Sequence, residues 1–517
     1  MPVWVVGARE SVERDRAAID RGTPSRVLME RAGNAAAGEI ARRFPERVRS
    51  GVAVFTGSGN NGGDGWVVAG ALARDGADVH VVEAGSATPE KAPDAFAMRA
   101  AALDSVDIGR TPGEDRALIV DALLGTGFAG APRGQIAAAI DSINARRSAG
   151  AAIAALDVPS GLDATSGDHT NCVVADLTIS FGGIKRGTLL ARDCCGVIVA
   201  VDIGLDAAKG GSGASRSSAL PMLVDGDWVR SRVPAIHYDA HKGTRKHLAI
   251  IGAGPGMPGA VVMATRGALR SGIGLVRALV HPDNTGPVLS AVPSALLGEW
   301  PSGAEQVRTE ITTWADAIVI GPGLGKSDAA KEAVDRILRG SARVPILLDA
   351  DALNIFEGDP KSLGAQLSGR PALITPHAAE FARLTGSDVK TVLANRFEIG
   401  LDLARVTGAT VLLKGSPTVI STPHGDRLVV ARGTAALGTG GSGDLLDGIA
   451  GTILAQTGDP TIAAASAAWL HGRAAELCEY VRGTILEDVM YALPRAWNEP
   501  EPRVDPPVLA ELPAVAR

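Results

Sequence analysis

The sequence predicts two α/β domains, each built on a largely parallel sheet with helices between the strands. Three observations predict this arrangement. The chain has 517 residues, which is too long for one ordinary hydrophobic core. Short apolar runs alternate with helical patterns in both halves. Two glycine-rich loops of different design are present, at residues 57–65 and 438–444, so we expect a separate site in each half.

The predicted strands are rich in aliphatic and β-branched residues and are apolar on both faces, which is typical of parallel strands covered by helices. In the N-terminal half they are residues 52–55, 79–82, 118–120, 153–156, 177–181 and 197–201. In the C-terminal half they are residues 247–251, 275–280, 317–320, 346–348, 372–374 and 411–413. A later pair, residues 418–421 and 427–431, predicts a β-hairpin.

A Gly/Ser-rich stretch without apolar periodicity separates the two halves and is typical of a linker. We therefore assign residues 1–206 to the first domain, 207–219 to the linker and 220–498 to the second domain. Residues 499–517 are Pro-rich, and we expect them to form a loosely ordered tail.

The net charge, the length of the apolar runs and the cysteine pattern limit the classes of partner and the location that we expect. The net charge of -6 argues against nucleic acid, because binding to the phosphate backbone needs a basic surface. We expect no membrane association, since no apolar run is long enough to span a bilayer and the start lacks a signal-peptide core. The four cysteines show no zinc-site spacing, and the adjacent Cys194 and Cys195 are a poor disulfide pair. We expect reduced thiols, a cytoplasmic location and a homo-oligomer.

The N-terminal loop, GSGNNGGDG at residues 57–65, follows a predicted strand and matches the dinucleotide-binding pattern G-x-G-x-x-G. Glu83 ends the next strand and could hold a ribose, so an NAD-dependent dehydrogenase is one hypothesis. A structural tight turn is another. Asn60, Asn61 and Asp64 argue against both hypotheses. A hydride-transfer site would carry small apolar side chains there, and a structural turn would not need two asparagines and an aspartate.

Oxygen-bearing side chains lie at three predicted strand ends in this half, where ligands bind in open α/β sheets. Asn61, Asp121 and Ser160 offer hard oxygen ligands, which suit a large monovalent or divalent cation better than zinc. The segment after Asp121 can supply backbone N–H groups to a phosphate. Its residues are Gly125, Thr126, Gly127, Phe128, Ala129, Gly130 and Ala131.

With these motifs in this order, residues 1–206 resemble the NAD(P)H-hydrate epimerase domain, the YjeF N-terminal family. The supporting motifs are LMERAG at 28–33, the 57–65 loop, DALLGTG at 121–127, DVPSGLD at 157–163, ADLT at 175–178 with Phe181 and Lys185, and DIGL at 202–205. The resemblance implies a Rossmann-like doubly wound fold that interconverts the S and R forms of the hydrate at C6.

It further implies that the hydrated dinucleotide is bound by Asn60, Asn61, Gly62, Gly63, Asp64, Asp157 and residues 125–131, and potassium (K⁺) by Asn61, Asp121 and Ser160. A buried carboxylate beside a cation is a reasonable acid/base, so Asp157 is the candidate catalytic residue. Lys185 is a second candidate; the alternative for Lys185 is a solvated loop lysine.

The C-terminal loop, GTGGSGD at residues 438–444, precedes an apolar helical pattern. Its glycines let backbone N–H groups converge on an anion at the helix N-terminus. Asp444 then lies on the first turn, where it can deprotonate a hydroxyl that attacks a phosphoryl group; the alternative is a helix cap. The pattern is not a Walker loop, because G-x-x-x-x-G-K-[ST] is absent.

Residues 220–498 resemble the ADP/ATP-dependent NAD(P)H-hydrate dehydratase domain, the YjeF C-terminal or CARKD family, which has a ribokinase-like fold. The supporting motifs are GAGPGMPGA at 252–260, GPGLG at 321–325, DADALN at 349–354, TPHAAE at 375–380, KGSPT at 414–418 and GTGGSGD. The resemblance implies that the nucleotide contacts Lys414, Gly415, Ser416, Pro417, Thr418 and Gly443. It implies that the hydrate contacts Ala260, Gly323, His377 and Asp444.

Physical alternatives remain at several of these positions. His377 can bind an amide or phosphate, or simply begin a helix. Lys414 can meet phosphate as a point charge, or form a structural ion pair. Asp349 and Asp351 are expected to frame the site or cap a helix, and Glu380 to support magnesium (Mg²⁺) through water.

The sequence thus predicts a bifunctional repair enzyme for NADH hydrate and NADPH hydrate (NADHX and NADPHX). The N-terminal domain would epimerise the hydrate, and the C-terminal domain would dehydrate its S form at the expense of ADP or ATP. Two alternatives stay open. One is a ribokinase-like small-molecule kinase with an attached dinucleotide-binding domain. The other is a ligand-sensing or scaffold role for the N-terminal half.

Overall fold

The computed structural model describes residues 2–109, 116–206, 220–300, 311–339, 343–501 and 504–515. These residues divide into two compact units: residues 2–206 with 504–515, and residues 220–501. The predicted linker, 207–219, lies outside the described residues. No helix within the described ranges is both long and apolar enough to cross a bilayer.

The first unit is built on a parallel sheet with the strand order β9-β7-β6-β5-β2-β3-β4. The six predicted strands are all present, because each is an apolar run buried on both faces. Its strands are β1 (Val5–Val6), β2 (Val52–Thr56), β3 (Val79–Glu83), β4 (Asp107–Gly109), β5 (Leu118–Ala122), β6 (Ala152–Leu156), β7 (Leu177–Phe181), β8 (Ile184–Lys185) and β9 (Val197–Val201). The short β1 and β8 pair separately.

Helices cover this sheet, and their small side chains allow close packing. They are α1 (Ala8–Asp20), α2 (Ser25–Arg43), α3 (Pro45–Arg49), α4 (Asn60–Arg74), α5 (Pro93–Ala102), α6 (Gly134–Ser148) and α7 (Arg186–Leu190). The chain order reverses across β2 and β5, so the loops after these strands diverge and leave a crevice at their carboxyl ends.

The second unit is built on a ten-stranded sheet with the order β10-β19-β18-β17-β16-β15-β14-β11-β12-β13. Its strands are β10 (Met222–Leu223), β11 (His247–Ile251), β12 (Leu275–Val280), β13 (Leu296–Glu299), β14 (Ala317–Ile320), β15 (Ile346–Leu348), β16 (Ala372–Ile374), β17 (Thr410–Leu413), β18 (Thr418–Ser421) and β19 (Arg427–Val430). Strands β11 to β17 pair in parallel, and the predicted hairpin adds β18 and β19 antiparallel.

The helices of the second unit lie on both faces of its sheet. They are α8 (Gly226–Arg230), α9 (Pro258–Arg270), α10 (Thr285–Ala291), α11 (Asp328–Leu338), α12 (Asp351–Asn354), α13 (Pro360–Leu367), α14 (Ala378–Thr385), α15 (Val389–Ala394), α16 (Gly400–Thr407), α17 (Ser442–Thr457), α18 (Pro460–Glu476) and α19 (Leu486–Asn498). Helix α17 is buried on all sides over residues 445–455, and most of these residues are apolar. It is therefore a core helix, and its N-terminus is held firmly.

The expectation of a loosely ordered tail is wrong for part of residues 499–517. A strand β20 (Val508–Leu512) pairs antiparallel with β9 and extends the first sheet to eight strands. Val508, Ala510 and Leu512 face inward and are buried, an alternation that stabilises a half-buried strand. Residues 504–515 of the tail therefore belong to the compact first unit.

Candidate functional site

The first unit carries a cavity of about 600 Å³ at the carboxyl ends of β2, β5 and β6. The glycine-rich loop after β2 forms one wall. Its Gly57 packs so closely on the loop after β5 that an added Cβ would lie 1.9 Å from the Leu123 carbonyl oxygen. The N-terminal end of α4 therefore faces the cavity, and its unpaired backbone N–H groups suit an anionic ligand.

The residues predicted to bind the dinucleotide fall into two groups. Cavity-lining members are Asn60, Asn61, Asp64, Gly125, Thr126, Gly127, Phe128 and Asp157. Gly62 and Gly63 are instead buried where α4 packs: an added Cβ on Gly63 would lie 2.6 Å from the Met29 Sδ. Ala129, Gly130 and Ala131 do not line the cavity.

Asn61, Asp121 and Ser160, predicted to hold a cation, converge on one point of the fold. The Asp121 carboxylate is fully buried and accepts hydrogen bonds from the Ser160 hydroxyl (2.6 Å) and backbone N–H (2.8 Å). Burial raises the pKa of Asp121 to about 6, although the hydrogen bonds from Ser160 lower it.

The Asn61 amide donates to the Leu124 carbonyl oxygen at 2.9 Å, and the Leu124 N–H donates to the Ser160 hydroxyl oxygen at 2.9 Å. The Asn61 Oδ1 is buried and has no hydrogen-bond partner within the described part of the chain. An orphaned amide oxygen beside a buried carboxylate and a hydroxyl is a donor set that fits a cation preferring hard oxygen ligands.

Asp157 and Lys185 form a buried ion pair on the cavity wall. The Lys185 side chain is 1% exposed, so its alternative as a solvated loop lysine is wrong. The Lys185 Nζ donates to the Asp157 Oδ1 and, at 2.8 Å, to the Phe181 carbonyl oxygen. Asp157 has a φ of 66°, a left-handed conformation that is strained for a residue with a Cβ and is often found at functional sites.

The sequence analysis missed Asp15, which α1 brings to the same cavity. Burial raises the pKa of Asp15, although the Lys185 charge lowers it, and burial also raises the pKa of Asp64 well above its usual value. The negative charge of Asp157 contributes to raising the pKa of both Asp15 and Asp64, and the Lys185 charge opposes it. Asp15 lies four residues after the buried Ser11, on the same helix face, but the sequence alone gives no signal that this face borders the cavity.

Glu83 does not support the dehydrogenase alternative. Its carboxylate accepts two hydrogen bonds from the Arg99 guanidinium, at 2.6 and 3.1 Å, and so faces a protein partner.

The second unit gathers its predicted residues where β11, β14, β15, β16 and β17 end, around the N-terminus of α17. Gly323 has a φ of 56°, and an added Cβ would lie 2.9 Å from the Ala260 Cβ. These two predicted hydrate contacts are therefore neighbours, and only glycine allows the close approach.

Lys414 is the charged centre of this second site. Its Nζ donates to both Asp349 carboxylate oxygens, at 2.8 and 2.9 Å, and lies 3.7 Å from the Glu380 Oε2. Burial lowers the pKa of Lys414, but the Asp349 and Glu380 charges outweigh burial and raise it, so the side chain stays cationic. An added Cβ on Gly443 would lie 3.3 Å from the Lys414 Nζ, so the lysine side chain lies close to the N-terminus of α17.

His377 caps helix α14. Its Nδ1 accepts hydrogen bonds from the Ala379 and Glu380 N–H groups, and the Glu380 Oε2 accepts one from the His377 N–H at 2.9 Å. His377 therefore does begin a helix, as the alternative interpretation of this residue held. The His377 ring is half-exposed, and its Nε2 lies 3.4 Å from the Glu380 Oε1. This nitrogen therefore remains accessible to a ligand.

Asp444 does not cap its helix. The N-cap of α17 is Gly441, with a φ of 91° and no side-chain cap hydrogen bond, and Asp444 lies on the first turn. Burial and, to a smaller extent, the neighbouring Asp349 charge raise the pKa of Asp444 to about 7, although the Lys414 charge lowers it. A carboxylate that titrates near neutrality is suited to accept a proton from a substrate hydroxyl.

The nucleotide-contact segment, predicted from Lys414 to Thr418, forms the turn between β17 and β18. The Thr418 hydroxyl donates to the Gly415 carbonyl oxygen at 3.0 Å, and Arg396 donates to the Pro417 carbonyl oxygen at 2.7 Å. These bonds give the turn a fixed shape, with Ser416 at its tip. Asp351 frames the site from the other side by accepting the Gly325 N–H at 2.8 Å.

Sequence reasoning also missed two buried residues near Lys414. Burial and, to a smaller extent, the Lys414 charge lower the pKa of His471 to about 4, so its ring is neutral. Burial and the Asp349 charge raise the pKa of Asp447 well above its usual value. Both lie on helices whose surroundings are apolar, and the sequence offers no signal that they point toward a polar site.

Each of the two units matches a family of known proteins. A family model for NAD(P)H-hydrate dehydratase matches residues 248–493, and a model for the YjeF-related protein N-terminus matches residues 25–187. The bifunctional NAD(P)H-hydrate repair enzyme Nnr of Escherichia coli is 36% identical over 510 residues, covering 96% of this chain and 94% of the relative. The enzyme of the same name from Moorella thermoacetica is 33% identical and covers 99% of each chain.

Among solved structures, the ADP/ATP-dependent NAD(P)H-hydrate dehydratase of Bacillus subtilis, co-crystallised with ATP and Mg²⁺, is 32% identical. It covers 52% of this chain and 95% of its own, with a TM-score of 0.47. A ribokinase-like superfamily protein of Enterococcus faecalis is 26% identical, covering 54% of this chain and 95% of its own, with a TM-score of 0.47.

Proposed function

This chain belongs to the family of bifunctional NAD(P)H-hydrate repair enzymes, and we propose that its first unit epimerises NAD(P)H hydrate while its second unit dehydrates the S form with ADP or ATP. The observation that carries the proposal is Asp444, a carboxylate with a pKa of about 7 on the first turn of α17, beside Lys414 and Asp349. That arrangement supplies a base, an anion site and a cationic partner for phosphate.

In the first unit, the diphosphate would lie against the N-terminus of α4 and the backbone of residues 125–128, with the nicotinamide end toward Asp157. The hydroxyl-bearing C6 is bonded to the ring nitrogen, so it inverts when one of its bonds to oxygen or nitrogen breaks and re-forms on the other face. Either route needs a proton to be taken and returned. Asp157, held by Lys185, would be the acid/base in this proposal.

Potassium fits the first unit at Asn61, Asp121 and Ser160, because the orphaned Asn61 Oδ1 offers it an otherwise unused ligand. When bound, it would supply positive charge that keeps Asp121 ionised. It would also hold the loop after β5 and the segment after β6 together. The residues themselves already hold the loop after β5 against the segment after β6 through the Ser160 hydrogen bonds.

In the second unit, Asp444 would take the proton of the C6 hydroxyl, and the hydroxyl oxygen would attack the terminal phosphorus of ADP or ATP. The bond from that phosphorus to the bridging oxygen breaks, and AMP or ADP leaves. Lys414 and the first-turn N–H groups of α17 would stabilise the charge that develops on the phosphoryl oxygens. Phosphate would then leave with the C6–O electron pair, assisted by the lone pair of the ring nitrogen. Transfer of the C5 proton to water or to the released phosphate would form the C5–C6 double bond and restore the ring.

Magnesium fits this site in the usual way, through one or two carboxylates and the phosphates of the nucleotide. Glu380 is the carboxylate that would hold it, through water, which leaves Asp444 available to accept the proton. When bound, it would neutralise phosphate charge; it does not replace the proton transfer to Asp444.

Product analysis tests the proposed function. We would incubate the full chain with the S hydrate and ADP or ATP, and measure free phosphate and reduced nicotinamide together. Equal amounts of both support the dehydratase. A stable phosphoester without free phosphate would instead establish a kinase. The Asp444→Asn variant should lose both products, whereas Asp157→Asn should lose neither with the pure S form.

We further propose that the enzyme works in the cytoplasm as a homo-oligomer. The expected reduced state of its thiols supports the location. Light scattering of the purified chain measures the oligomeric state, and a mass equal to one chain would contradict the second part.

A further inference from the structure

Two thiols and an imidazole meet in the first unit, away from the residues that line its cavity. Cys172 and Cys194 are each 7% exposed, and their sulfur atoms lie 3.1 Å apart. The Cys194 Sγ lies 3.7 Å from the Nε2 of His169, which is exposed. All three ligand atoms lie within 4.8 Å of one another, so one ion can contact all three.

The His169 ring is oriented for such a role. Its Nδ1 lies 3.0 Å from the Gly167 carbonyl oxygen. A carbonyl only accepts hydrogen bonds, so this contact places the proton on Nδ1 and leaves the Nε2 lone pair directed at the thiols. Metal-binding histidines are held in this way by a backbone carbonyl, which fixes both the tautomer and the ring orientation.

Hydrogen bonds to backbone carbonyl oxygens, one of them from the Asn144 side-chain amide, hold the two cysteine segments in place. The Ala175 N–H donates to the Cys194 carbonyl oxygen at 2.9 Å, and Asn144 donates to the Cys172 carbonyl oxygen at 2.9 Å. The Val173 N–H donates to the Ser160 carbonyl oxygen at 2.9 Å. The thiols are therefore brought together by the fold itself, and their segment is joined to Ser160.

We propose that His169, Cys172 and Cys194 form a zinc site, with a fourth position open to solvent beside the exposed imidazole. Two sulfurs and one imidazole nitrogen are a donor set typical of Zn²⁺ and unsuited to K⁺ or Mg²⁺. Binding replaces the two thiol protons, which are released to solvent, and no electrons are transferred.

The site links residues 169–175 to the turn before β9. Because Val173 is hydrogen-bonded to Ser160, bound zinc would restrict the segment that supplies one of the proposed potassium ligands. Zinc binding is expected to stabilise the first unit in proportion to its affinity, as any ligand that binds only the folded state does. This inference does not depend on the reaction that either unit catalyses.

The test uses the full chain, reduced with a phosphine and freed of metal with a chelator. Zn²⁺ is titrated in competition with a chromophoric chelator, and Co²⁺ is added to a parallel sample. We expect a zinc equivalent that is absent from Cys172→Ser and Cys194→Ser. We also expect a thiolate-to-cobalt charge-transfer band, which carboxylate sites cannot produce. Cys195→Ser is the matched control, since its thiol donates to the Ala191 carbonyl oxygen and should be dispensable.

A second measurement keeps the proposal testable if the serine variants do not fold. Zn²⁺ should protect Cys172 and Cys194 of the unaltered chain from alkylation and leave Cys478 reactive. Equal zinc uptake by the unaltered chain and Cys194→Ser, or absence of the thiolate-to-cobalt band from the unaltered chain, would overturn the proposal. Failure to bind zinc, combined with a Cys172–Cys194 disulfide after air oxidation, would make the pair a redox couple instead.

Discussion

Replacing Asp444 by asparagine is expected to stabilise the second unit while it abolishes dehydration. The pKa of Asp444 is raised from its usual 3.8 to about 7, chiefly by burial. At about 1.4 kcal/mol per unit, this shift corresponds to roughly 4 kcal/mol of folding free energy lost at pH values above the native pKa. An isosteric amide carries no charge and avoids that loss.

The sign and the pH window follow from proton linkage. Between about pH 4 and pH 7 the native Asp444 holds a proton that the unfolded chain has released, so the stability of the unaltered enzyme falls as the pH rises. Above about pH 7 both states are ionised and the difference is constant. The advantage of Asp444→Asn should therefore grow by about 3 kcal/mol between pH 5 and pH 8.

Hydrogen exchange of peptides from α17, followed by mass spectrometry, measures this advantage within the full chain. Asp328→Asn is the matched control, because Asp328 also lies on the first turn of a helix but is fully exposed. It should change the exchange by less than about 0.5 kcal/mol at either pH. An equal advantage of Asp444→Asn at both pH values would contradict a buried Asp444 with a raised pKa. Dehydration reduced less than about 100-fold would contradict its role as the base.

Three further predictions concern the first unit. Gly57→Ala should lower the melting temperature sharply or prevent folding, since its Cβ would lie 1.9 Å from the Leu123 carbonyl oxygen. Gly59→Ala, with no atom within 4 Å of its Cβ, should change stability by less than about 1 kcal/mol, and equal effects would contradict the packing argument. Lys185→Met should cost about 3–5 kcal/mol of unfolding free energy in urea, because it leaves Asp157 without its partner. Adding Asp157→Asn should recover part of the loss, and additive losses would show that the pair is uncoupled. Exchanging potassium for sodium should slow epimerisation without affecting dehydration of the pure S form; slowing both would argue against a potassium site confined to this unit.

Much of the fold could be predicted from the sequence because its central strands are apolar runs with a clear period. The predicted strands of both halves and the hairpin of β18 and β19 are present. The strand β20 was missed, since its five residues are flanked by prolines and their partner, β9, lies about 300 residues earlier. Local patterns carry no information about such a pairing.

Residues at strand ends were predictable for a related reason. Parallel strands bring their carboxyl ends to one edge, so Asp121 and Ser160 were expected to meet, and they do. Asp15 and the thiol pair were not predictable in this way, because helix packing and loop closure decide where they lie. The absence of a local zinc spacing around Cys172 and Cys194 therefore said nothing about their distance in the fold.

The most direct test of the account is recovery of reduced nicotinamide absorbance from an epimeric mixture of NADPH hydrate, with the full chain, magnesium, potassium and either ADP or ATP. We predict complete recovery that requires one of the two nucleotides, since one unit converts the R form and the other consumes the S form. Recovery that stops at the S fraction would contradict the proposed role of the first unit. No recovery with either nucleotide would contradict the central claim that this chain repairs hydrated nicotinamide nucleotides.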